Sequence, residues 1–164
     1  MRPSQKEHEV LISKTGNVYH TSGDVGAVDD NTIVPGKEKL GSIVTHNHPE
    51  GIDEGNFSGD DARKYFRDGL ESLRGVDSRS TFGMRARKPR SNVNPDEIYH
   101  DLQSGLYQQA QQNVLESRYN GNLTKMMEDD TMTSDYIKDE INRLASEKYG
   151  YTAWRRYRNS GTYG

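Results

Sequence analysis

No cysteine occurs among the 164 residues, which removes disulfide scaffolds, thiol catalysis and cysteine-ligated zinc together. Apolar residues are scarce: 30% of the chain is hydrophobic and 29% is charged. Any core is therefore lean by average usage, and part of the chain is expected to lie over a surface or to pack on a partner. No run approaches the roughly 20 apolar residues that a membrane span needs. The charged start from Met1 to Glu9 has no apolar stretch of signal-peptide length, so the expectation is a soluble intracellular or virion protein. An excess of positive charge is also missing. The formal net charge is -3, and a whole-chain basic footprint for nucleic acid is absent.

What is present falls into two parts. The run EHEVLIS from Glu7 to Ser13 reads as a strand, Lys14 to Asn17 as a turn, and Val18 to Thr21 as the returning strand. A loop, a brief strand at Thr32 to Val34 and another loop follow. Ser42 to His46 reads as a second strand, which must end by Pro49 because proline cannot donate to a ladder. Ser58 opens a predicted helix whose apolar positions Ala62, Tyr65, Phe66, Gly69, Leu70 and Leu73 recur at three- and four-residue spacing. Gly75 is its expected stop, and Thr81 to Arg87 alternates as a strand does. After Lys88 the composition changes. Asn94-Pro95 is a helix start, and Ile98, Leu102, Leu106, Ala110 and Val114 form one stripe. Ser134 is expected to cap a further helix through Ile137, Ile141 and Leu144, ended by Gly150. The division expected is a domain over residues 1–90 and a helical extension over 91–164.

The chemistry concentrates between Thr45 and Asp61. Residues two apart on a strand point to one face, so His46 and His48 present two imidazoles side by side if the strand persists that far. Imidazole is the commonest metal ligand, and hydrolytic zinc sites take three protein ligands and leave one position open. Asp61, one turn into the next helix, supplies the third. The same Ser58-to-Asp61 spacing is also that of a capping box, and both roles are compatible.

The segment THNHPEGIDEGNFSGDD resembles the signature of JAB/MPN (JAMM) metalloprotease-like domains, particularly the RadC-like and phage-associated branch. The resemblance spans Glu7 to about Arg87. It implies an α/β fold, a mixed β-sheet with flanking helices of deaminase-like architecture, followed here by the C-terminal helical region. It implies Zn2+ bound by His46, His48 and Asp61, with Ser58 stabilising the developing oxyanion. A glutamate from the first strand acts as general base in that family. Glu7, nine positions before Gly16, fits the family spacing, and Glu9 is the runner-up. The implied reaction is hydrolysis of a peptide or isopeptide bond in a protein or peptide substrate. The setting implied is the bacterial cytoplasm or a virion.

Two other readings compete. A zinc deaminase needs H-x-E with P-C-x-x-C, which a chain without cysteine cannot supply. A zinc-binding, non-catalytic structural or interaction module of a phage or prophage assembly keeps the metal without turnover. Nucleic acid is not expected as a partner: the basic clusters Arg85, Arg87, Lys88, Arg90 and Arg155, Arg156, Arg158 around Trp154 read as solvated surface in an acidic chain. The C-terminal helices are expected to restrict the substrate, to touch a phage particle or to self-associate, and to leave the metal chemistry alone.

Overall fold

The computed structural model describes residues 6–23, 33–49, 55–86 and 92–158. Their order is β1 (Glu7–Ile12), β2 (Val18–Gly23), α1 (Gly36–Lys39), β3 (Ile43–Asn47), α2 (Gly59–Asp68), β4 (Ser72–Val76), β5 (Ser80–Ala86), α3 (Pro95–His100), α4 (Tyr107–Tyr119), α5 (Leu123–Glu128), α6 (Asp130–Tyr149) and β6 (Tyr151–Tyr157). A π turn at Asp101–Gly105 joins α3 to α4. The class is α/β, with one six-stranded mixed sheet in the order β2-β1-β3-β4-β5-β6. Of the four pairings from β2 to β5, only β3–β4 is parallel, and α2 makes the crossover between those strands, as parallel pairing requires. No helix among the described residues is long and apolar enough to cross a membrane.

The chain packs as two compact units that interleave along the sequence. The first takes its residues from Met1–Glu54, Asp68–Arg85 and Trp154–Gly164, the second from Gly55–Arg67 and Ala86–Ala153.

The first unit is built on the sheet. Its opening hairpin follows the turn expected from sequence. Ser13 N–H donates to Asn17 O at 2.8 Å, Asn17 N–H donates to Ser13 Oγ at 3.0 Å, and Gly16 takes the positive φ of 90° that the turn demands. Alternation then sorts the strands into two faces. Leu11, Val44, Leu73, Phe82 and Met84 are buried on the inner face. Gly75 is on that face because the Phe82 ring of the neighbouring strand fills the place of its Cβ, 2.2 Å from the nearest ring carbon.

Several expectations are corrected here. The helix opened by Ser58 does not run to Gly75. It ends at Asp68, where Gly69 adopts φ 65°, and Leu73 and Gly75 lie on β4. The three-residue step from Leu70 to Leu73 imitates a helical repeat, but the left-handed glycine has already turned the chain. Thr32 lies outside the described residues, and Ile33 and Val34 form a turn before α1 rather than a strand. The terminal segment Tyr151–Tyr157, which no sequence pattern marked as extended, is the edge strand β6. Arg155 of that strand points inward, where its Nη1 donates to Ser80 Oγ at 2.7 Å and lies 4.0 Å from Asp77 Oδ2.

The second unit includes α2 as far as Arg67. Asn94 caps α3 as expected, its Oδ1 accepting from Asp96 N–H at 2.9 Å, and Ile98, Leu102, Ala110 and Val114 are buried. α6 begins at Asp130, four residues before the expected cap at Ser134, and closes on Gly150 at φ 77°. The intervening α5, capped by Asn122, is a helix not among those expected from sequence. Gly59 at the head of α2 lies so close to α3 that an added Cβ would meet Tyr99 O at 2.6 Å. Its N–H donates to Gln103 Oε1 at 3.1 Å. The Arg63 guanidinium rests 3.7 Å over the Tyr99 ring, and Phe66 packs edge-on against Tyr151.

Candidate metal centre

His46 and His48 occupy the inner face at the end of β3, and both are buried. The strand does persist to the second histidine in hydrogen-bonding terms: His48 N–H donates to Val76 O of β4 at 2.7 Å. The two imidazoles stack at 4.8 Å between centroids and 28° between planes, which brings their Nε2 atoms to 2.8 Å from each other. Two lone pairs cannot face at that distance. One Nε2–H therefore donates to the other Nε2, a hydrogen bond that a shared metal ion would replace. With metal–nitrogen bonds of about 2.0–2.1 Å, tetrahedral geometry sets the nitrogens roughly 3.3 Å apart, so the rings need part by only about half an ångström.

Neighbouring strands hold this pair. The edge of the Phe82 ring meets His48 at 5.2 Å and 79°, and Phe82 is itself seated on Gly75. On the other side the antiparallel register sets Glu9 opposite His46. Glu9 is buried, and Glu7, two residues earlier on the same face, brings Oε1 to 3.9 Å from His46 Nε2 with its side chain 13% exposed. Both candidate bases therefore lie on the histidine face, and only Glu7 keeps partial access to solvent.

Ser58 and Asp61 form the capping box. Ser58 N–H and Oγ–H both reach Asp61 Oδ2, at 2.9 and 3.1 Å, and Asp61 N–H points back at Ser58 Oγ, 3.4 Å away. This locks the carboxylate in one orientation at the helix start. His46, His48 and Asp61 each offer one ligand atom, and these atoms lie within 4.8 Å of one another. Such a group could hold a metal ion. Its donor set, two imidazoles and one hydrogen-bonded carboxylate, suits a borderline divalent cation.

One contributor was not foreseen. Asn47 points away from the histidines, yet its amide clamps the start of β1 from both sides of Glu7. Oδ1 accepts from His8 N–H at 2.5 Å and Nδ2 donates to Lys6 O at 3.2 Å. Sequence shows Asn47 only as the spacer between two histidines; its role needs the register of β1 on β3.

No protein-family model, curated protein or solved structure matches this chain.

Proposed function

We propose that the chain is a zinc-dependent hydrolase of peptide or isopeptide bonds of the JAB/MPN type. The observation that supports it best is the convergence of His46, His48 and Asp61 with the Glu7 carboxylate 3.9 Å from His46 Nε2. Bound there, zinc supplies Lewis acidity toward a scissile carbonyl and makes water acidic enough to act as nucleophile near neutral pH.

The chain's own residues do the rest. Glu7 is close enough to the histidine pair to take a proton from an attacking water and pass it to the leaving amine. Glu9 is buried opposite His46 on the same face, the less accessible of the two candidate bases. Asp61 is aimed by the Ser58 N–H. The Ser58 hydroxyl is turned toward Asp61 in this structure. For it to donate to an oxyanion on the substrate carbonyl it must rotate about χ1, which a serine does readily.

The test is twofold. Purified protein is assayed for zinc content and for cleavage of quenched peptides and a lysine-linked isopeptide. About one zinc per chain with cleavage that Glu7→Gln abolishes supports the proposal. Zinc without any cleavage leaves the non-catalytic module, and absence of zinc removes both readings.

A further inference from the structure

The outer face of the sheet is sorted by charge in a way the whole-chain balance conceals. Among the described strand residues, the outward positions carry no aspartate or glutamate, while Arg74, Arg85 and Arg156 all lie there. The acids of the first strand, Glu7 and Glu9, face the opposite way with the histidine pair. Arg155 and Arg156, adjacent in a basic run, are separated by the pleat: the first is tied to Ser80 inside and the second is exposed.

At the β6 end this face carries an aromatic platform. The Trp154 indole lies on Gly83, whose absent Cβ would fall 2.4 Å from a ring carbon, so the ring is seated against backbone and is 37% exposed. Arg74 stands directly opposite Gly83 in the β4–β5 register, which sets it beside the ring. The Arg156 guanidinium lies 5.8 Å from the ring centroid. Trp154 is thus flanked by cations from two strands. At the other end, His8 and His20 stack as exposed parallel rings 5.5 Å apart and 5° between planes. Four inter-strand spacings of about 4.8 Å separate β6 from β1, a run of roughly 19 Å on which no described strand residue presents a carboxylate.

We propose that this face binds single-stranded nucleic acid, with a base stacked on Trp154 and backbone phosphates paired to Arg74 and Arg156. Charge decides the occupant. A second copy of the chain would set the same arginines against each other, whereas a polyanion with flat bases matches both the cations and the exposed ring. Arg85 contributes less, because Glu71 already pairs with it at 2.9 Å. The proposal stands independently of the metal centre on the opposite face.

Trp154 is the chain's single tryptophan, so its fluorescence reports on this site alone. The full-length protein is titrated at low salt with oligo-dT and oligo-rU of about 12 nucleotides, with a duplex DNA of equal length, and with poly-L-glutamate. The expected result is quenching by either single strand, with affinity falling steeply as salt rises. Arg74→Ala with Arg156→Ala should weaken binding roughly tenfold or more and flatten the salt slope, with the circular dichroism spectrum unchanged. Trp154→Leu, followed by anisotropy of a labelled oligonucleotide, should weaken it to a similar extent. Absence of binding by both single strands overturns the proposal. So does poly-L-glutamate quenching as strongly as the oligonucleotides, which makes the partner an acidic polypeptide. Binding that survives the double arginine substitution places the nucleic acid elsewhere and overturns it too.

Discussion

Glu9 stands directly opposite His46 in the β1–β3 register, and Glu7 reaches the same histidine from one pleat further along. Two carboxylates on one face thus have different environments, one buried and one in partial contact with solvent. Glu7→Gln is expected to abolish hydrolysis while zinc remains, because a proton carrier need not be a ligand. Glu9→Gln is expected to keep both zinc and hydrolysis, because Glu9 is the less accessible of the two carboxylates. Activity and zinc content measured on both variants separate the two roles, and the reverse pattern would exchange them.

His48→Ala is expected to lose the bound metal outright. The variant leaves one imidazole and one carboxylate, too few for a tight site. Metal quantification of wild type and variant checks this, and equal zinc in both would remove the ligand assignment.

Asn47→Ala tests the clamp on β1. It removes the two hydrogen bonds that flank Glu7 without touching a ligand. Turnover should fall between roughly 10- and 100-fold, the scale of an ångström-sized misplacement, with zinc content and KM little changed. A drop in zinc equal to the drop in turnover would show that the clamp serves the histidines instead.

Gly59→Ala tests the seat of the Asp61 helix. The new methyl meets Tyr99 backbone and Gln103 at under 3 Å, and forcing it in should destabilise the protein by about 1–3 kcal/mol. By the same packing, a fragment ending at Arg90 strips α2 of Tyr99, Gln103 and Tyr151 and is expected to be insoluble. Thermal unfolding of the variant and solubility of the fragment check both. A soluble, zinc-loaded fragment would show that the helices are dispensable, as the sequence pattern alone suggests.

Asp101 gives the second unit an acid limit. Burial pushes its carboxyl up, but hydrogen bonds from Lys148 and Tyr149, at 2.8 and 2.6 Å, outweigh this and hold it below the ordinary range. A depressed carboxylate contributes stability that is complete above its unfolded value of about 3.9 and is lost as pH falls through the folded one. Wild type should therefore lose melting temperature below about pH 4 more steeply than Asp101→Asn, which should already be less stable at pH 7. Parallel pH profiles for the two would remove this carboxylate from the account.

The hairpin and the histidine strand were legible because their signals are local. A glycine turn fixes one, and strict alternation around H-x-H fixes the other. Ser58 and Asp61 were legible as a cap, since that motif also lies within four residues. β4 was misread because Leu73 happens to follow Leu70 at a helical interval. β6 was hidden by Arg155, an inward arginine whose partners Asp77 and Ser80 lie more than seventy residues earlier. The same long-range dependence hid Asn47 and the seating of Trp154 on Gly83. Residues whose partners lie across the sheet show their purpose only once the register is known.

The position of β6 also bears on how the chain is made. Synthesis delivers β1 to β5 well before Tyr151–Tyr157, so the last strand of the sheet leaves the ribosome after a long helical stretch. Until then β5 presents an open edge, with Gly83 bare of its indole cover and Asp77 and Ser80 without Arg155. Exposed edges of this kind recruit other strands. Nascent chains stalled or cut within α6 would therefore be the form of this protein most in need of a chaperone.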